Sequence, residues 1–194
     1  MTEASHEMAA NPLPPHPRKP GTVGVPTGAK VRIVDPDWAE LPPGMPGEVA
    51  ISGPGLTPGY LANPQANAES FRDGWFRTGD QGVLEDGYLR LVGRIKELII
   101  RGGENISPGE VEETLKAHSA VADAAVFGIP DEKYGEVVAA AVALSDAVEE
   151  RELIEHCRQR LTAVKVPAVI HVLPEIPRTP TGKLQRRRVA AAIY

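Results

Sequence analysis

The residues most able to do chemistry lie near the end of the chain, where Thr179-Pro180-Thr181-Gly182-Lys183 reads as a turn presenting one ammonium group between hydroxyls. Glycine permits the tight backbone, and a lysine acts on anionic oxygens as a flexible point charge. A phosphate-binding P-loop is excluded, because it needs a second glycine upstream and the preceding stretch is Pro174-Glu175-Ile176-Pro177-Arg178. Taken alone, the turn would be a surface feature ahead of a basic, solvated helix face. Three further stretches carry polar groups beside glycine: Thr78-Gly79-Asp80, Gly93-Arg94-Ile95-Lys96-Glu97, and Arg101-Gly102-Gly103-Glu104-Asn105-Ile106. Each has a bland reading when isolated: a turn aspartate, a solvated strand end and a plain loop. No pair of histidines or carboxylates has metal-ligand spacing. Cys157 falls at helical spacing with Leu153, Ile154 and Leu161, which makes it core rather than nucleophile.

The elements that must position these residues divide at Leu89–Glu113, which reads as strand, polar joint, apolar strand, glycine loop and helix. Ser107, Pro108 and Glu110 form a capping-box signature at the helix start. Ahead of the joint most of the 19 prolines fall in the first sixty residues, which argues for short strands and turns. Strands are predicted at Lys30–Val34 and Glu48–Ser52, and at 83–85 and 88–92 around the Asp86-Gly87 hairpin dipeptide. Beyond the joint, Val111 and Leu115 give the helix after Ser107 an apolar face, with Glu112, Glu113 and Lys116 toward water. Ala124–Ile129 and Glu136–Leu144 are apolar enough for strands buried on both faces. A helix through Leu153–Leu161, a strand at Val169–Leu173 and a terminal helix at Leu184–Ile193 complete the second body. The fold class is mixed: a small β-rich subdomain, a distorted barrel, followed by an α+β domain with a small mixed sheet and packed helices.

Composition narrows the function. The chain has 194 residues, 42% of them hydrophobic, enough for two small cores. A formal net charge of -5 argues against general nucleic-acid binding. A single cysteine allows no internal disulfide and fits a reducing cytoplasm. The longest apolar run, Val137–Leu144, is far too short to span a bilayer, so no membrane association is expected.

The four glycine-containing motifs occur in one order, and together they resemble the adenylate-forming (AMP-binding) enzymes, specifically the carboxyl-terminal portion of an acyl-CoA synthetase, over essentially the whole chain. The opening Met1-Thr2-Glu3-Ala4-Ser5-His6 is similar to the family's ATP-binding segment, without the aromatic-glycine pair that usually precedes it. The appearance of 4–15, of 18–24 and of Gly93–Pro108 is closest to the oxalate/fatty-acid CoA ligase branch, which implies a place in fatty acid metabolism. The implied organisation is a remnant of the large N-terminal domain at 1–22, a β-rich subdomain at 23–95, and a mobile AMP-binding-enzyme domain at 96–194 hinged at Lys96.

What the resemblance implies is a ligase that converts a carboxylate and ATP to acyl-AMP, then forms a thioester with coenzyme A. Lys183 would be the catalytic lysine at the carboxylate and α-phosphate. Thr2, Asp80 and Arg94 would bind the nucleotide, Asp80 through both ribose hydroxyls, and Glu3 would hold Mg²⁺. Lys96 would be the pivot, where many family members carry Asp, and Gly102 and Gly103 would let the backbone approach the pantetheine of coenzyme A. Ser5 and His6 are candidate polar anchors at the inner end of an acyl pocket. The family's phosphate loop and acyl pocket are not in these residues, so the chain alone is expected to be inactive, with residues 1 to about 20 poorly ordered. The expected partners are a carboxylic acid, ATP, coenzyme A and an N-terminal synthetase domain, missing or on a separate chain. The alternatives are a non-catalytic binding module and half of a split synthetase.

Overall fold

A computed structural model describes residues 1–5 and 8–194; His6 lies outside them. The chain forms two compact units, Met1–Lys96 and Glu97–Tyr194.

The first unit is built on one long strand. Strands β1 (Ala9–Ala10) and β2 (Val25–Pro26) pair with each other. β3 (Lys30–Val34), β4 (Gly47–Ser52), β5 (Phe71–Arg72), β6 (Trp75–Glu85) and β7 (Tyr88–Arg94) form an antiparallel sheet curled as a half-barrel. β6 is its spine and pairs with β4, β5 and β7. The β6–β7 turn is the expected Asp86-Gly87 pair, both at positive φ (49° and 78°), so the turn twist matches the strands. Alternation fixes the sheet faces. In β3, Ile33 enters a core with Val49, Ile51, Phe76 and Leu89, while the guanidinium of Arg32 lies 4.0 Å over the Trp75 ring.

Two findings in this unit differ from expectation. A short helix, α1 (Pro64–Ser70), follows Asn63, whose side chain accepts from the Ala66 amide at 3.1 Å. Among the described opening residues, where poor order was expected, Ala4 is buried in the same core, the Ser5 amide donates to the Gly55 carbonyl, and the Thr57 amide to the Glu3 carbonyl.

The second unit is a mixed sheet covered on both faces. Its elements are β8 (Ile99–Arg101), β9 (Glu104–Ile106), α2 (Pro108–Lys116), β10 (Val121–Asp131), β11 (Gly135–Leu144), α3 (Glu150–Arg158), β12 (Val169–Val172) and α4 (Arg186–Ile193). β11 is central, antiparallel to β10 and β8 and parallel to β12. Its period of two divides the core. Val138, Ala140 and Val142 pack with Val111, Leu115, Leu153 and Cys157 of α2 and α3, whereas Ala139, Ala141 and Ala143 face Ile176 and Val189 of the α4 side. Both faces being apolar is why the strand reads as an unbroken hydrophobic run. Three alanines on one face leave room for α4 to lie close.

Several local expectations are corrected. Ser107 stands at the helix start and Pro108 at the first helical position, but the serine side chain makes no capping bond. Glu110 instead meets Lys165 Nζ at 2.7 and 2.8 Å. Glu112 does not face water; it is 5% exposed and bound to Arg186. Leu161 lies beyond α3. Leu184 precedes α4 and bridges to Arg178 instead, since a strand-like contact closes the Thr179–Lys183 turn.

Candidate functional site

Asp80 is presented by a bulge. Between the pairs Glu48↔Gln81 and Ala50↔Arg77 the register shifts, so that Thr78, Gly79 and Asp80 stand opposite the single residue Val49. Three bonds hold the bulge: Thr78 Oγ1 donates to the Val49 carbonyl at 3.0 Å, the Gly79 amide to Glu48 Oε1 at 3.0 Å, and the Asp80 amide to Thr78 Oγ1 at 3.1 Å. Gly79 has φ 73°, a conformation that carries little penalty only without a Cβ. Arg94, paired with Asp80 across β6 and β7, places Nε 2.8 Å from Asp80 Oδ1 and donates from Nη1 to the Thr78 carbonyl at 3.2 Å. The structure thus brings a carboxylate and a guanidinium together at one strand pair.

Glu48 and Arg77 were not legible as site residues. Arg77 Nε lies 3.4 Å from Glu48 Oε2, its Nη2 donates to the Asp35 and Pro36 carbonyls, and its guanidinium lies 4.3 Å over the Trp38 ring. Through Glu48 this stack fixes the Gly79 amide.

In the same unit, Thr2 is exposed and Glu3 half-buried. The Tyr60 hydroxyl donates to Glu3 Oε1 at 3.1 Å. Burial, with that bond and the carboxylate charge acting in the same sense, raises the Tyr60 pKa above its ordinary value. Glu3 is oriented by this bond, and a single oriented carboxylate is what Mg²⁺ in company with phosphates asks of a protein. Among the described residues no group of three or more His, Cys, Asp or Glu could hold a metal ion by itself. Lys96 is exposed in a 3₁₀ turn, Ile95–Glu97.

The second unit holds the other candidates. Gly102 and Gly103 form the two-residue β8–β9 turn, both at positive φ (58° and 87°). A Cβ on Gly103 would meet nothing within 4 Å, so its surroundings are open. The Gly102 amide donates to the Tyr134 carbonyl at 2.8 Å, and Arg101 pairs with Gly135 at the β10–β11 turn. The glycine turn therefore sits at that end of the long hairpin.

Lys183 is exposed in a turn closed by its own neighbours: the Lys183 amide donates to Thr179 Oγ1 at 2.9 Å, the Thr179 amide to the Lys183 carbonyl at 2.8 Å, and the Gly182 amide to the Thr179 carbonyl at 2.8 Å. Arg178 anchors the turn by a forked pair with Asp123, Nη2 to Oδ1 at 2.8 Å and Nε to Oδ2 at 3.0 Å, and Nη1 reaches the Gly182 carbonyl at 2.9 Å. Asp123 is near the start of β10 and Asp131 at its end. At ~3.4 Å per residue, eight residues separate the two anchoring points by about 27 Å. The glycine turn and the lysine turn belong to opposite ends of one rigid hairpin.

Burial raises the Cys157 thiol to about 11, which leaves it without the thiolate a nucleophile needs.

Comparison with known proteins gives the class independently of these side chains. Residues 1–61 match the AMP-binding enzyme family and residues 110–183 the AMP-binding enzyme C-terminal domain, and the chain belongs to the AMP-binding enzymes as a carboxyl-terminal portion. It is 50% identical to a probable CoA ligase from Humulus lupulus (98% of this chain, 37% of the relative) and 48% identical to an oxalate–CoA ligase from Saccharomyces cerevisiae (98% and 36%). Among solved structures, o-succinylbenzoate coenzyme A synthetase from Bacillus subtilis, in complex with ATP and magnesium ion, superposes with a TM-score of 0.83 at 38% identity, covering 89% of this chain and 36% of that one. The chain thus spans little more than a third of the length of the curated relatives it matches.

Proposed function

We propose that this chain is the carboxyl-terminal portion of an ATP-dependent acyl-CoA ligase that works with an N-terminal synthetase domain, in the same polypeptide or on another chain. The observation that carries the reading is the placement of Lys183 and Gly102-Gly103 at opposite ends of the β10–β11 hairpin. Two elements about 27 Å apart on one body cannot serve one site together, but they can serve it in turn.

In the first half-reaction a carboxylate oxygen attacks the α-phosphorus of ATP and pyrophosphate leaves. Lys183 neutralises the negative charge that gathers on the α-phosphate and substrate oxygens. Asp80 accepts from the ribose hydroxyls, Arg94 supplies donors beside it, and Thr2 donates to a phosphate oxygen. Glu3 would hold Mg²⁺ in part, and the ion would supply charge compensation to the phosphates. In the second half-reaction the sulfur of coenzyme A attacks the acyl carbon and AMP leaves. Rotation about Lys96 withdraws the lysine turn and brings Gly102-Gly103 forward, where the lack of side chains leaves room for the pantetheine arm. The working parts are then residues 1–22 beside the nucleotide, the β-rich subdomain 23–95 and the mobile domain 96–194.

Short carboxylic acids, oxalate first, fit the named relatives, with fatty acids as the alternative substrate class. A cytoplasmic setting fits the single buried cysteine, and no described helix is long and apolar enough to cross a membrane. The reading is tested by mixing the chain with a separately produced N-terminal AMP-binding domain and following AMP formation with oxalate, acetate and a medium-chain acid. Activity that disappears in Lys183→Ala supports it. Full activity in Lys183→Ala would refute the role of the lysine, and acyl-adenylate made by the chain alone would refute the need for the second domain.

A further inference from the structure

The second unit contains a partly buried three-membered charge cluster that the reaction itself does not use. Arg186, three residues after Lys183, forks onto Glu112 with Nε to Oε1 at 2.7 Å and Nη2 to Oε2 at 2.7 Å, and its remaining arm, Nη1, meets Glu97 Oε2 at 2.5 Å. Side-chain exposure is 7% for Glu112, 21% for Arg186 and 33% for Glu97. The Val126 amide donates to Glu112 Oε1 at 2.9 Å, which helps to hold a site with two carboxylates and one cation. Burial lowers the affinity of Arg186 for its proton, but the bonds and charges of Glu112 and Glu97 outweigh it, and the net shift is upward.

Three segments far apart in sequence meet at this guanidinium. Glu112 belongs to α2, and Arg186 opens α4 three residues beyond the lysine turn. Glu97 is the residue that follows Lys96. A cluster needed only for cohesion would be served by the Glu112 fork, because that fork already neutralises the most deeply buried carboxylate. The third bond, to Glu97, adds a connection between the turn that carries Lys183 and the first residue of the unit.

We infer that Arg186 is a positioning residue: it fastens the Lys183 turn to the chain segment emerging from Lys96, so that both move as one piece with the second unit. The far side of the turn is held by Arg178 on Asp123, and the turn is thus fixed at both ends by guanidinium–carboxylate pairs. The inference rests on the proposed roles of Lys96 and Lys183 for its meaning, but the clamp itself is a property of the chain without substrates.

The test is hydrogen exchange on the 194-residue chain, comparing segments 97–101 and 179–184 with the core segment 139–141 of β11. Arg186→Met should speed exchange in both peripheral segments by roughly tenfold or more, beyond any change in β11. Arg186→Lys, which keeps the charge but not the fork, should recover part of that protection. Glu97→Gln retains the Glu112 fork and therefore folds even if Arg186→Met does not; it should loosen 97–101 selectively. Uniform acceleration of all three segments would reduce Arg186 to a general stabiliser and overturn the inference, as would unchanged exchange at 179–184 in Arg186→Met or at 97–101 in Glu97→Gln. Because no substrate is present, these outcomes are separate from whether Lys183 supports AMP formation.

Discussion

Removing the Glu48 carboxylate should loosen the bulge that presents Asp80. The side chain makes two contacts: it accepts from the Gly79 amide at 3.0 Å and pairs with Arg77 at 3.4 Å. A hydrogen bond to a charged group is worth roughly 1.5–3 kcal/mol when buried. Glu48 keeps 19% side-chain exposure and Arg77 16%, so water offsets part of the loss, and Arg77 retains its bonds to the Asp35 and Pro36 carbonyls. Glu48→Ala is therefore expected to cost about 1–2 kcal/mol. Glu48→Gln, which keeps an acceptor for the Gly79 amide and loses the charge toward Arg77, should cost about half as much. Urea denaturation reads this as a lower midpoint with an unchanged slope. In the reconstituted ligase the same variant should raise KM for ATP more than it lowers kcat, because in the proposed role Asp80 would grip the ribose in ground and transition states alike. Equal losses from Glu48→Ala and Glu48→Gln, or a loss under about 0.3 kcal/mol, would refute the argument that the Gly79 bond holds the bulge.

Two other outcomes are expected. Burial, aided by the charges of Arg160 and His118 and opposed by the bond from Nε2 to the Thr114 carbonyl, lowers the pKa of His156. The unfolded chain then binds the extra proton first, so the contribution of His156 to stability is complete above about pH 6.5 and is lost as pH falls through the folded-state value; His156→Gln should flatten denaturation midpoints measured across that range. Gly103→Ala meets open space but sits at φ 87°, so it should cost only about 1–2 kcal/mol of stability, seen by thermal melting, while slowing thioester formation far more than adenylate formation.

Much of the fold was legible because its signals are local. Asp86-Gly87 marks a hairpin by dihedral preference alone, and the apolar run at Val137–Leu144 marks a strand covered on both faces. α1 was missed because none of its residues is buried, so it has no apolar stripe for periodicity to detect; only Asn63-Pro64 hinted at its start. Glu112 was read as solvated because its partner, Arg186, lies 74 residues away. A single sequence does not record such a pairing. The same holds for Glu48 and Arg77, whose part in shaping the Thr78-Gly79-Asp80 bulge depends on the register of β4 against β6. The glutamate half of the capping box at Ser107 gave way to a tertiary contact as well, since the Glu110 carboxylate pairs with Lys165.

The most direct test of the two-ended hairpin separates the half-reactions. With the N-terminal AMP-binding domain supplied, pyrophosphate release reports adenylate formation, and transfer of a preformed acyl-adenylate to coenzyme A reports the thioester step. The account predicts that Lys183→Ala abolishes the first and spares the second, and that Gly103→Ala does the reverse. Loss of both half-reactions in each variant, with the fold intact, would contradict it.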